Sequence, residues 1–287
     1  MLDIQAYRAA ESAARAALPS WRALQVHRLD TFNAAGFPSR IESLGELGML
    51  LDTMQEGRAD GYRAEIGALT PAEAARFDAA RDRQAEFVGT FFQRQRARPA
   101  DDTLWSMLCL YRKLTAAAPG FRRVLEIGPG CGYLSFFLRG HEGLQLYLQT
   151  EACESFYLLQ HFVNAWCFGG KAVDWVVRTG PADPDASCWH VPWWQVSEVK
   201  ARCDRFDVVT ANACLLEMTP AALDQYLTLA ADVLPLGAPF VAQCFGQPKN
   251  GDPKTLAAAF AKHGFKVRSI LAPNDTRPTW NGVWERS

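Results

Sequence analysis

The chain reads as an α/β protein: a seven-stranded, mostly parallel sheet with helices on both faces, preceded by an all-helical region. Three observations predict this. From about residue 122 to the end, short apolar runs alternate with helical patterns, the mark of a largely parallel sheet covered on both faces. The stretch VLEIGPGCGYLSFFLRG, from Val124, places three glycines within five residues between a strand-like run and a helix-like one. Before residue 121 only helical spacing appears.

In order along the chain, IQAYRAAESAARAAL and RIESLGELGMLLDTMQ carry helical periodicity. A longer helix starts at Thr70, Pro71 and Glu73, a capping box with proline in the first turn. DTLWSMLCLYRKL is a joining helix, so the expected division is a helical region over 1–100 and a sheet-containing core over 101–287. The first region serves as a lid or substrate wall, or as a dimer contact. Val124, Leu125 and Ile127 form the first strand, and a helix starts near Tyr133. LQLYLQTE is the second strand, followed by a helix that Gly169 and Gly170 close. KAVDWVV, RFDVVTAN and APFVAQCFG supply the next three strands. Thr219 and Pro220 open the helix between the last two. The tail adds a helix stopped by Gly264, a sixth strand and a short last one in NGVWERS.

The glycine turn is where chemistry is expected. Gly128, Gly130 and Gly132 form a turn that residues without a Cβ follow at close quarters. The following helix start points free N–H groups into it, so the whole is a cradle for part of a nucleotide-like ligand. The dinucleotide fingerprint requires G-x-G-x-x-G, whereas here the third glycine comes one residue early and Tyr133 stands at the sixth position. Glu126 lies two residues before the first glycine, and Glu151 ends the second strand about 20 residues on, where a carboxylate is placed to accept ribose hydroxyls.

Written out, E-x-G-x-G-x-G resembles the first motif of class I S-adenosylmethionine (SAM)-dependent methyltransferases, and the order of elements over roughly two thirds of the chain is similar to that Rossmann-like core. The resemblance implies SAM as cofactor. It places Glu126 near the methionine amino group, Gly128, Gly130 and Gly132 against the cofactor, and Glu151 on the ribose hydroxyls. It also implies a last strand running antiparallel between the fifth and sixth. Asn212, in the polar exit of the fourth strand, opens at the carboxyl edge where such folds bind ligands and joins the cofactor-binding set.

Methyl transfer is an in-line displacement, so near-attack geometry supplies much of the rate, and an oxygen or nitrogen acceptor also needs a base. CWHVPWWQV, between the third and fourth strands, offers His190 as that base and Trp193 and Trp194 as walls of an acceptor pocket. The plainer alternative is a structural histidine among core tryptophans. The fourth-strand exit, Ala211-Asn212-Ala213-Cys214, lacks the [DN]-P-P-[YF] of nucleic-acid amino-methyltransferases, and only Glu217 is present where protein arginine methyltransferases place two glutamates. The expected acceptor is therefore a small molecule or a peptide. HVPWW and the helical N-terminal region look like bacterial sugar O-methyltransferases, which makes a sugar hydroxyl the leading acceptor. Methylation of nitrogen on a small molecule or peptide, and a non-catalytic SAM-binding partner subunit, stand as alternatives. A nicotinamide-dependent oxidoreductase is disfavoured by the glycine spacing.

Composition narrows the remaining classes. Thirty basic and 31 acidic residues leave a net charge of −1, which gives no broad field for nucleic acid or an anionic membrane. Arg94, Arg96 and Arg98 cluster at an expected helix end, where cations complement the dipole. No apolar run is long enough to span a bilayer, and the N-terminus lacks a signal-like core. Eight cysteines without C-x-x-C or metal spacing read as small buried hydrophobes, with no metal site, in a cytoplasmic protein.

Overall fold

The computed structural model describes residues 2–18, 38–53, 59–92, 101–177, 185–203, 205–245, 253–271 and 279–287. The arginine cluster at 94, 96 and 98 lies outside them.

Among the described residues, no strand precedes Arg123. Helix α1 (Ile4–Ala17) starts at Asp3, whose side chain accepts from the Ala6 N–H. Helices α2 (Leu47–Thr53), α3 (Ala59–Ile66) and α4 (Pro71–Phe92) follow. The capping box at α4 forms as expected: the Thr70 N–H donates to the Glu73 carboxylate at 2.9 Å, and the Glu73 N–H donates to the Thr70 hydroxyl at 3.3 Å. Helix α5 (Asp101–Ala117) leads into the sheet.

The strands are β1 (Arg123–Ile127), β2 (Leu146–Glu151), β3 (Ala172–Asp174), β4 (Cys188–Pro192), β5 (Val208–Asn212), β6 (Pro239–Phe245), β7 (Phe265–Leu271) and β8 (Thr279–Arg286). They lie in the order β3-β4-β2-β1-β5-β6-β8-β7. All pair in parallel except β8, which runs antiparallel between β6 and β7 as the resemblance implies. The sheet thus has eight strands rather than the expected seven. The extra one is β4, the aromatic stretch read as a connection. Every residue of β4 is buried between β2 and β3, so it lacks the alternation that marks a half-exposed strand.

Alternation within the strands sends neighbouring side chains to opposite layers. Val124, Tyr147, Cys188 and Val208 face α5, α6 (Leu134–Leu138) and α7 (Glu154–Phe168). That apolar layer continues into Tyr7, Leu47, Leu50 and Phe87 of the helical region. Leu125, Leu148, Val209 and Phe240 face α8 (Val199–Arg202), α9 (Pro220–Val233) and α10 (Pro253–Lys262). Helix α9 opens on the Thr219 cap with Pro220 in its first turn, as expected. Seven of the eight cysteines are buried free thiols, and Cys214 is half-buried.

Candidate active site

The first layer holds a row of polar residues that the hydrophobic pattern conceals. In register across the sheet stand Asp174 on β3, His190 on β4, Gln149 on β2, Glu126 on β1 and Thr210 on β5, and all five are buried. One residue pair nearer the carboxyl edge, Asn212, Gln243 and Asn281 form a second row across β5, β6 and β8. Buried polar groups need partners, and these rows have them. Gln149 donates to the Ser135 hydroxyl and accepts from Asn164, while Thr210 donates to the Val241 carbonyl.

The glycine turn leaves β1 at this edge. Gly128, Gly130 and Gly132 adopt φ of 62°, 57° and 71°, a region that strongly favours residues without a Cβ. The turn is tied to β2 through the Gly128 N–H, which donates to the Thr150 carbonyl at 2.9 Å. A β-carbon on Gly128 would lie 2.7 Å from the Cys214 β-carbon, and one on Gly132 would lie 3.0 Å from Cγ of Gln160. Cys214 follows Ala213, whose φ of 60° is left-handed for a non-glycine residue and marks local backbone strain at the β5 exit.

Two carboxylates flank the turn. Glu126 is buried and accepts from the Tyr147 hydroxyl. Burial pushes its carboxyl up to about 7, the Tyr147 bond opposes this, and the nearby Glu151 adds to it. Glu151 accepts from the N–H groups of Ala152 and Cys153 at 2.7 and 3.0 Å, from Gly130 N–H at 3.3 Å and from the Gln160 amide at 3.1 Å. Burial raises its pKa as well, against the pull of those four donors. These features fit a ligand that carries a cation near Glu126 and hydroxyl donors near Glu151. A buried carboxyl displaced to neutrality is stabilised by a cation, and ligand hydroxyls can exchange with the longest of the four bonds to Glu151.

The remaining expected residues sit elsewhere. Asn212 is half-buried, with its amide committed to Ser106 of α5 and to Gln243. His190 does not follow a strand but lies within β4, 2% exposed, with Nε2 2.9 Å from Gln160 Oε1, Nδ1 3.2 Å from Asp174 Oδ2, and its ring stacked on Tyr157. Burial pushes its pKa down, and the Asp174 carboxylate pulls the other way. An enclosed imidazole with both nitrogens engaged does not reach an acceptor, so the general-base expectation is replaced by a structural placement. The same correction applies to the tryptophans. Trp193 is buried and donates to Glu11 of α1, and Trp194 packs edge-on against Tyr7, so both fill the joint between α1 and the sheet.

Sequence reasoning missed Gln160, Tyr147 and Cys214. Nothing local marks them: Gln160 is one of several polar residues on a helix that also carries Glu154, His161 and Asn164.

The chain matches no protein-family model and no curated protein. Among solved structures it is similar to a TehB-like SAM-dependent methyltransferase from Corynebacterium glutamicum, at 15% identity over 61% of this chain and 86% of that one, with a TM-score of 0.45. It is similar also to an S-adenosylmethionine-dependent methyltransferase from Mesorhizobium loti, at 12% identity over 63% and 98% and a TM-score of 0.44. A third is the CcbJ methyltransferase from Streptomyces caelestis, at 15% identity over 63% and 89% and a TM-score of 0.45. Likeness of this degree carries no weight on reaction or substrate. No helix among the described residues is long and apolar enough to cross a membrane.

Proposed function

We propose that the chain is a SAM-dependent methyltransferase of a small-molecule acceptor, with a sugar hydroxyl as the acceptor class to test first. The observation that carries this reading is the pair of buried carboxylates, Glu126 and Glu151, at the ends of adjacent parallel strands on either side of a turn whose three glycines all have positive φ. Bound SAM would supply an electrophilic methyl group on a sulfonium. Glu126 would pair with its ammonium group, Glu151 would accept from the ribose hydroxyls, and the glycine backbone would let the cofactor approach closely. His190 is left out of the proton transfer for the geometric reasons above. The small-molecule acceptor rests on the β5 exit, which carries neither the nucleic-acid motif nor a second glutamate beside Glu217.

Burial of His190, the one near-neutral base that the sequence offers in that stretch, favours a second reading in which the chain binds SAM without turnover. The two separate by experiment. SAM and its product S-adenosylhomocysteine (SAH) should raise the melting temperature while NAD and NADP leave it unchanged. A shift with NAD and none with SAH would sink the proposal. Methyl release against a panel of sugars and other hydroxylated metabolites then distinguishes an enzyme from a binding subunit.

A further inference from the structure

Gln160, on α7, meets the glycine turn and the carboxylate beside it at once. Its Nε2 donates to the Gly130 carbonyl at 2.5 Å and to Glu151 Oε2 at 3.1 Å, and its Cγ fills the space that a β-carbon on Gly132 would take. Both amide partners are pure acceptors, so the amide can present only its nitrogen to them. Its oxygen therefore faces His190 Nε2 at 2.9 Å, which must carry a proton there.

The rest of the chain of bonds faces the other nitrogen of the ring. The Leu2 N–H donates to His161 Nε2 at 3.3 Å, so His161 carries its proton on Nδ1 and donates to Asp174 Oδ2 at 2.9 Å. Asp174 also accepts from the Tyr157 hydroxyl and the Val176 N–H. Burial would raise the Asp174 pKa, but the His161 and His190 bonds hold it below the ordinary carboxylate range. An ionised Asp174 meets His190 Nδ1 favourably only as N–H, and the Gln160 oxygen meets Nε2 favourably only as N–H, so the two contacts together favour the ring with both protons, against burial. The Gly130 carbonyl and Glu151 set the orientation of the Gln160 amide, and the His190 Nε2–H completes it.

Resting on the methyltransferase reading above, we propose that Gln160 is a positioning residue of the cofactor site. Held by the His190 Nε2–H, it fixes the Glu151 carboxylate and the Gly130 carbonyl in the places the cofactor needs. It acts through those two groups and through its packing under Gly132.

The test is SAH titration of the full chain by calorimetry at pH 6 and pH 8, for the wild type, Gln160→Leu and Gln160→Glu. The groups facing Gln160 are Glu151 and, beyond it, Glu126 from β2 and β1, and His190 from β4 with Asp174 and His161 behind it. Each variant is read as its ratio to the wild type at the same pH, and because the Gln160 amide itself lowers the Glu151 pKa, a change at Glu151 is part of the effect read. Gln160→Leu should weaken SAH by about tenfold to thirtyfold at both pH values. Gln160→Glu should weaken it further at pH 8, where a second carboxylate faces Glu151, and recover toward the wild type at pH 6, where a protonated carboxyl can donate one bond. A residue that only supports the fold shows no such recovery. Should the leucine variant fail to fold, the pH ratio of the glutamate variant decides. Wild-type binding with both variants unchanged overturns the role of Gln160 alone, whereas absence of SAH binding to the wild type overturns the cofactor reading with it. Nitrogen NMR of the wild type supplies an independent check: a His190 ring protonated only on Nδ1 also overturns the proposal.

Discussion

The Tyr147 hydroxyl donates to the Glu126 carboxylate diagonally across β1 and β2, and both side chains are buried on the face that α7 covers. This bond only partly offsets burial, which holds the Glu126 pKa at about 7 against an ordinary 4.5. Between those values the folded state keeps a proton that the unfolded chain releases, so stability falls as pH rises through that window. Glu126→Gln should therefore match the ligand-free wild type at pH 4 and exceed it at pH 8, by about 1–3 kcal/mol. Urea midpoints at pH 4, 6 and 8 measure this. The same variant should lose SAM affinity, since it has no charge to offer an ammonium group.

How much of this was legible in the sequence depends on whether the determinant is local. The glycine turn and the Thr70 and Thr219 caps were legible because each meets a backbone requirement within a few residues. Strand β4 was not: Cys188–Pro192 is buried throughout, ends in proline and lacks the period of two, so it looks like an aromatic loop. The neighbours of the glycine turn were hidden for another reason. Gln160 and Cys214 meet it from 30 and 86 residues beyond Gly130 and Gly128, the separations between their positions in the chain, and nothing in their local sequence marks that approach. The histidine looked catalytic because the sequence shows a titratable group and not the Tyr157, Gln160 and Asp174 side chains that enclose it.

Close packing at the turn makes Gly128 more sensitive than Gly132 to an added side chain. Alanine there would adopt a φ of 62° and press its β-carbon to 2.7 Å from that of Cys214. The left-handed backbone and the overpacking together should destabilise the fold by about 2–4 kcal/mol. Adding Cys214→Gly should restore part of the loss by removing the clash but not the backbone strain. Equal midpoints for the single and double variants would show that the contact does not matter.

Glu151→Ala should affect both binding and folding. Loss of a charge-assisted acceptor for two ribose hydroxyls should weaken SAH by roughly thirtyfold to a hundredfold. The ligand-free protein should also lose about 1–3 kcal/mol, because the N–H groups of Ala152, Cys153 and Gly130 and the Gln160 amide all lose their acceptor. Calorimetry and urea midpoints together check the two effects. Unchanged SAH affinity would remove Glu151 from the site.

Glu154, the first residue of α7, fastens the helical region to the core. Its side chain is fully buried and accepts from Arg8 of α1, from Arg40 and from the Ile41 N–H. Glu154→Gln takes this carboxylate from both arginines and leaves Arg40 with Glu11 and Arg8 with Glu42. The expected loss is about 1–3 kcal/mol, below that for a fully buried pair because Arg40 is 42% exposed. Limited proteolysis should then release the α1 segment earlier than in the wild type, and an unchanged cleavage pattern would count against this latch.

His190→Asn separates a supporting histidine from a catalytic one. A general base that is lost leaves SAH affinity and stability intact and lowers kcat by ~10²–10⁴, with the corresponding limb of the pH profile removed. The geometry predicts another pattern. Asparagine cannot stack on Tyr157 or span from Asp174 to Gln160, so buried partners lose their bonds and the ligand-free protein should weaken by about 1–3 kcal/mol. Release of the Gln160 amide should weaken SAH several-fold, an effect transmitted through Glu151. With SAM saturating and an acceptor found, the kcat profile from pH 6 to 9 should run parallel to that of the wild type, because no proton of the reaction passes through the ring. A variant with wild-type stability and SAH affinity but a collapsed, pH-independent kcat would return His190 to the base role and require β4 to expose its ring during turnover.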